Sequence, residues 1–259
     1  MTTVSPLSGK FALVTGGGRG IGRAIALALA AAGVTLALTA RTRSQLDAVA
    51  AEVEAAGADM PMVQEMDVAD PGSIAAGLGR IRAALPRTDI LVNNAGIAES
   101  APLAKTSPEL WQRHLAVNAT APFLLCRALV PAMVGRGWGR VINLASMAGL
   151  GGAPYIAAYA ASKHALVGLT RALAAEVSGT GVTVNAICPG FAATDLVWNS
   201  ARNIAAKTGK SFEEAVAAMA RINPGRRLID PGEIAAVAAK LVHDDATNGE
   251  TIVLDGTQS

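Results

Sequence analysis

Residues 10–32 most narrow what this chain can fold into. An apolar, β-prone run, KFALVT, leads into the glycine stretch TGGGRGIG over residues 15–22, and an alanine- and leucine-rich run from Arg23 to Ala32 reads as a helix. Strand, glycine turn and helix in this order are the context of a nucleotide-phosphate loop. Glycines let the backbone turn tightly and approach a pyrophosphate with no Cβ in the way, and the helix start supplies free N–H groups and the positive end of a dipole. The glycines that matter would be Gly16, Gly20 and Gly22, a spacing that differs from the six-residue dinucleotide fingerprint. Alone, the stretch is equally a plain tight turn.

The βα alternation continues along the chain. A helix near 44–56 places Leu46, Val49, Ala50 and Val53 on one face, and a short strand near 60–66 ends at Asp67 and Val68. A helix over 71–85 precedes a strand over 89–96 that runs into Asn-Asn-Ala-Gly. A long helix over about 107–133 contains Asn118, and Pro122 inside it implies a kink or a freed carbonyl near Asn118. The strand over 140–146 ends on Ser146, and the helix carrying Tyr159 runs to about 178. A strand over 182–188, a mixed and less regular stretch over 191–222, a helix over 231–243 and a strand over 251–255 complete the chain. The pattern predicts an α/β fold, a Rossmann-like doubly wound parallel sheet of about seven strands with helices on both faces. With 259 residues and no internal repeat or linker, residues 1–259 read as a single domain. A composition 51% hydrophobic but only 3% aromatic builds the core from Ala, Val, Leu and Ile.

Several classes are disfavoured. The uncharged run over 24–40 is shorter than the ~20 residues of a membrane span, and Gly33 divides it into helix and strand. The N-terminus lacks the basic start and apolar core of a secretory signal, and two cysteines make no disulfide framework, so a cytoplasmic protein is expected. A net charge of +2, with basic residues scattered among acids, offers no stripe for nucleic acid. His114, His164 and His243 have no metal-ligand spacing.

Tyr159 and Lys163 stand one helical turn apart, so on a helix they share a face, and a phenol beside an ammonium can donate a proton. That spacing also arises on any alanine-rich helix. Ligands in an open α/β sheet sit beyond the carboxyl ends of the strands, however, and the strands ending at Asn93 to Gly96 and at Ser146 both carry polar groups there. Together the glycine loop, Asp67, Asn93 to Gly96, Asn118 in His-Leu-Ala-Val-Asn, Ser146, Tyr159, Lys163 and Pro189-Gly190 leading to Thr194 give the chain a resemblance to the short-chain dehydrogenase/reductase family, in its compact single-domain form. The matches keep the family's order and separations and span nearly the whole chain.

The resemblance implies an oxidoreductase interconverting a ketone and a secondary alcohol, with Asn118, Ser146, Tyr159 and Lys163 as catalytic residues and no metal. Hydride transfer to a ketone leaves an alkoxide that must take a proton, and Tyr159 is the acid. A free phenol has a pKa near ~10, and a neighbouring ammonium favours the phenolate. Lys163 would supply that charge and bond the nicotinamide ribose, Ser146 would hydrogen-bond the carbonyl oxygen, and Asn118 would hold a water linking Lys163 to solvent. Gly16, Gly20 and Ile21 belong to the phosphate loop. Asp67 and Val68 would hold the adenine ring, Asn94 and Gly96 would approach the ribose, and the backbone near Ala192 with Thr194 would fix the nicotinamide amide. On the residues alone, Asp67 could cap the next helix and the Asn-Asn-Ala-Gly turn could brace the sheet.

The end of the second strand bears on cofactor choice. An acid there binds ribose hydroxyls, whereas a basic side chain pairs with the extra phosphate of NADP. Here the acid's place falls at Ala40 and Arg41 follows, with Arg19 able to reach the same phosphate and Arg43 a substitute. NADP(H) is expected, with NAD(H) the alternative if both arginines are only solvated charges. The family's mobile substrate lid would lie at about 191–225. Phe191, Leu196, Val197 and Trp198 would face Met147, Leu150 and Tyr155 across an apolar pocket suited to a hydrophobic ketone.

Arg202, Lys207, Lys210, Arg226 and Arg227 would meet the phosphates of coenzyme A or an acyl carrier, or form the solvated face of two helices. Residues 207–234 are loosely similar to relatives acting on 3-oxoacyl or 3-hydroxyacyl substrates. The C-terminal Leu-Asp-Gly-Thr-Gln-Ser lacks the second glycine usual after Asp255-Gly256. The family also implies a homo-oligomer, commonly a tetramer. A lyase on this fold would pair its tyrosine with arginine, and a nucleotide sensor would lack the tyrosine; Lys163 and the complete catalytic set argue against both.

Overall fold

In the computed structural model, which describes residues 7–257, the glycine stretch joins β1 (Phe11–Thr15) to α1 (Gly20–Ala31). Next come β2 (Thr35–Ala40), α2 (Arg43–Ala55), β3 (Met62–Glu65), α3 (Pro71–Ala84) and β4 (Ile90–Asn93). The chain continues through α4 (Pro108–Leu115), a π-helical segment Ala116–Thr120, α5 (Ala121–Gly135), β5 (Gly139–Leu144), α6 (Ala157–Glu176) and β6 (Val182–Pro189). It closes with α7 (Asp195–Thr208), α8 (Phe212–Ile222), α9 (Pro231–His243) and β7 (Thr251–Leu254). The strands form one parallel sheet in the order β3-β2-β1-β4-β5-β6-β7. Strand order reverses at β1, so the crevice beyond the carboxyl ends of β1 and β4 is the topological switch point where such sheets bind ligands.

Adjacent residues of a strand serve opposite cores. Val14, Val92 and Ile142 pack with Ile25 and Leu29 of α1 and Ile234 and Leu241 of α9. Leu13, Leu91 and Val141 pack on the other face with Ile74 and Leu78 of α3 and Leu125 and Leu129 of α5. This two-sided burial is why the strands read as unbroken apolar runs.

Three boundaries differ from the sequence expectation. α1 begins at Gly20, not Arg23, so the last glycines of the loop form its first turn. The long helix over 107–133 is interrupted by the π-helical segment around Asn118. Pro122 sits four residues on and has no N–H for the Asn118 carbonyl, so a regular α-helical bond is impossible there. The stretch over 191–222 is more regular than expected, being two helices. α8 opens on a capping box in which Ser211 Oγ accepts from Glu214 N at 3.1 Å and Glu214 Oε2 accepts from Ser211 N at 2.8 Å. Among the described residues, Pro108–Gly135 is the one helical stretch long and apolar enough to cross a membrane by length and composition, and half of its apolar window is buried in the fold.

Candidate active site

A cleft of about 960 Å³ opens beyond the carboxyl ends of β1, β4, β5 and β6. The first bond inside α1 runs from Arg23 N to Arg19 O at 3.1 Å, leaving the amides of Gly20, Ile21 and Gly22 without intrahelical partners at the positive end of the helix. Gly16 has a φ of +64°, and a Cβ on Gly22 would lie 2.2 Å from Gly16 O. The loop thus closes on itself in a form that side chains would block, and its free amides fit a dinucleotide pyrophosphate.

Asn94 fixes this cradle. Its Nδ2 donates to Thr15 O at 2.9 Å and Gly16 O at 3.1 Å, while the amides of Asn94 and Ala95 donate to Thr15 Oγ1 at 3.0 and 3.1 Å. Asn94 therefore braces β1 against β4 as well as lining the cleft. Thr15 was missed as a site residue, although a lone hydroxyl at the end of an apolar strand was the available signal.

Arg41, Asp67 and Val68 line the far end of the cleft. Arg19 donates to Asp195 Oδ2 at 3.0 Å, and Arg43 donates to Asp47 Oδ1 at 2.7 Å. Arg41 is exposed and, among the described residues, has no ion-pair partner, so it is the uncommitted cation at the end of β2. The cap of α3 is Asp70, whose Oδ1 accepts from Gly72 N at 2.8 Å; Asp67 Oδ1 instead accepts from Ala69 N at 2.9 Å.

α6 brings Tyr159 and Lys163 to the same cleft as Ser146. Lys163 is buried; its Nζ donates to Leu144 O at 2.7 Å and lies 5.9 Å from the centre of the Tyr159 ring. Burial pulls the Lys163 ammonium down to about 8. Burial also pushes the Tyr159 phenol up, and the hydrogen bond with Ser146 opposes this only in part. Against the lowering of the phenol expected from Lys163, desolvation is the larger effect, and the ammonium donates to Leu144 O. Cys188, fully buried on β6, does not line the cleft; its thiol is pushed up by burial while the Ser146 backbone and Lys163 act the other way.

Asn118 does not line the cleft. It is fully buried, with Nδ2 donating to Ile97 O at 2.9 Å and Ser162 Oγ at 3.0 Å, and Oδ1 accepting from Ile97 N at 2.9 Å. Its amide hydrogens are committed, so a water toward Lys163 would be met by the Asn118 carbonyl that Pro122 cannot engage. Gly96 lies between the two residues: a Cβ there would be 3.2 Å from Asn118 Oδ1 and 3.6 Å from Lys163 Nζ.

Phe191, Leu196, Met147, Tyr155, Ala192 and Thr194 line the cleft. Two expected pocket residues do not. Trp198 turns into the small core between α7 and α8, its ring 6.2 Å from that of Phe212, and Leu150 is 42% exposed outside the cleft. The base of these helices is held by Asn223, also missed: its Oδ1 accepts from Phe191 N at 2.9 Å, and its Nδ2 donates to Phe191 O at 2.9 Å and Arg227 O at 2.6 Å. None of Arg202, Lys207, Lys210, Arg226 and Arg227 lines the cleft. Arg227 pairs through two 2.6 Å bonds with Glu233, which it holds down to about 2.

Residues 10–205 match the family described as short chain dehydrogenase. The chain is 36% identical over 251 residues to D-beta-hydroxybutyrate dehydrogenase of Rhizobium meliloti (strain 1021), covering 95% of this chain and 97% of that protein. It is 37% identical over 250 residues to the 3-oxoacyl-[acyl-carrier-protein] reductase FabG of Escherichia coli (strain K12), covering 96% of each. Its fold superposes with a TM-score of 0.91 on an actinorhodin polyketide ketoreductase variant solved with NADPH, at 33% identity over 99% of this chain and 98% of the other.

Proposed function

Because the chain belongs to the short-chain dehydrogenase family, we propose that it is an NADP(H)-dependent oxidoreductase interconverting a ketone and a secondary alcohol. The observation that carries this reading is the convergence of Ser146, Tyr159 and Lys163 with the glycine cradle in one cleft. When bound, the nicotinamide supplies or accepts the hydride. Tyr159 gives its proton to the carbonyl oxygen, Ser146 holds that oxygen by a hydrogen bond, and Lys163 returns a proton to the phenol, replacing its own from solvent through a water that the Asn118 carbonyl would hold. The amides of Gly20, Ile21 and Gly22 hold the pyrophosphate, Asp67 and Val68 the adenine, Gly96 the ribose edge, and Ala192 with Thr194 the nicotinamide amide. Arg41, which among the described residues has no ion-pair partner, supports NADP(H) over NAD(H).

The substrate in this reading is a small apolar ketone, supported by the wall of Phe191, Leu196, Met147 and Tyr155 and by the absence of the lid's basic residues from the cleft lining. A 3-oxoacyl thioester is the second reading, supported by the likeness to the acyl-carrier-protein reductase. Residues 1–259 act as one catalytic domain with a lid at about 191–225, in a cytoplasmic homotetramer as the family resemblance implies. The test is oxidation of NADPH and NADH with an aromatic ketone set against acetoacetyl-coenzyme A. Substituting Tyr159→Phe should abolish turnover and leave NADPH binding, followed by fluorescence, nearly intact; unchanged turnover would overturn the assignment of the acid.

A further inference from the structure

His114 is completely buried on α4, and no step above uses it. Its ring meets the Tyr159 ring edge to face, with centroids 6.2 Å apart and planes at 72°. Both ring nitrogens have fixed partners. Nδ1 lies 2.9 Å from Leu110 O, a carbonyl that can only accept, and Nε2 receives the Glu99 amide hydrogen at 3.1 Å. The two bonds define a neutral imidazole with its proton on Nδ1. They also tie the ring to two elements, the first turn of α4 and the segment after β4, where Ala98, Glu99 and Ser100 line the cleft. Arg113 reinforces the second tie from the surface, gripping the Glu99 carboxylate at 2.6 and 2.7 Å.

We propose that His114 is a positioning residue for the reaction, its ring setting the angle at which Tyr159 presents its hydroxyl and its Nε2 holding the Glu99 segment as a wall of the substrate cleft. The inference rests on Tyr159 as the proton donor. A tyrosine ring anchored only through its own helix rotates about two side-chain bonds; an edge contact from a residue itself fixed at both nitrogens removes part of that freedom, and it does so without touching substrate.

The experiment uses the full-length protein with NADPH and its best ketone, turnover being normalised to NADPH-binding sites so that loss of folded enzyme is removed. H114Q keeps an acceptor for the Glu99 amide and loses the ring; H114F keeps the ring and leaves that amide unpaired. H114Q should lower kcat by roughly 2- to 13-fold, the factor an aromatic edge contact converts to. Its solvent deuterium isotope effect on kcat should rise, because proton donation becomes more limiting. H114F should recover most of kcat and raise KM. Wild-type kcat in H114Q, or a lower kcat with an unchanged isotope effect, overturns the proposal. Y159F measured alongside separates the two readings: turnover retained by that variant overturns the acid assignment itself, whereas turnover lost there with H114Q at wild-type rate overturns only the role of His114.

Discussion

Replacing Arg41 by alanine tests the choice between NADPH and NADH. Of the three arginines around the end of β2 and the glycine loop, Arg19 is bound to Asp195 and Arg43 to Asp47, so among the described residues Arg41 alone would meet the phosphate without first breaking an ion pair. A hydrogen bond to a charged group is worth roughly 1.5–3 kcal/mol, and because Arg41 is exposed, solvent screening favours the lower part of that range. About 1.5–2 kcal/mol corresponds to a roughly 10- to 30-fold fall in kcat/KM for NADPH. NADH has no phosphate at that position, so its kcat/KM should stay within about twofold. The assay is initial-rate oxidation of each cofactor at fixed saturating ketone, at low salt and again at high salt. The wild-type preference for NADPH should shrink as salt rises, while that of R41A should be nearly flat. Equal losses for both cofactors would mean that Arg41 supports the loop generally, and no loss for either would leave the phosphate to Arg19; each refutes the reasoning.

Two further predictions follow from the cradle and the buried amine. G22A places a methyl 2.2 Å from Gly16 O, a backbone atom that cannot move aside, so overpacking of about 1–3 kcal/mol should lower Tm by about 2–12 °C and remove NADPH binding; calorimetry with an unchanged Tm would contradict the tight closure. Lys163 has a folded pKa of about 8, below its unfolded value near 10.5, so the unfolded chain holds the proton more tightly and stability should rise with pH from about 8 to 10 by up to ~1.4 kcal/mol per pH unit. Urea unfolding of wild type and K163M at pH 7 and pH 10 checks this: only the wild type should gain that increment, and parallel curves would mean that the amine is not desolvated.

The fold was legible because the central strands are buried on both faces and the helices packed on them bury one face, so apolar runs and periodic faces alternate along the chain. The residues that converge on the cleft were legible through their place at strand ends. Residues whose work is done by side chain to backbone bonds across long separations were not. Thr15 meets Asn94 across 79 positions and Asn223 meets Phe191 across 32, and nothing local marks either one. Trp198 was misplaced for a related reason. Its helix has two apolar partners, the cleft and α8, and the periodicity of α7 alone cannot say which one Trp198 faces. Asn118 was found by its place in the motif, but its surroundings reverse the obvious use of its side chain, which is fully engaged in holding Ile97.

The electrostatics of the cleft bear on which partner carries the proton. Burial raises Tyr159 and lowers Lys163, and both shifts work against a phenolate–ammonium pair. Near neutral pH the phenol therefore keeps its proton, and Lys163, at about 8, is mostly protonated while close enough to neutrality to exchange a proton readily. That combination suits reduction, in which the phenol must donate and then be reprotonated through the lysine. Alcohol oxidation needs the phenolate first, a charge that burial of the phenol disfavours. The burial that gives Lys163 its pH-dependent contribution to stability is thus the same property that loads Tyr159 as an acid, and replacing the lysine should disturb stability and proton delivery through one physical cause.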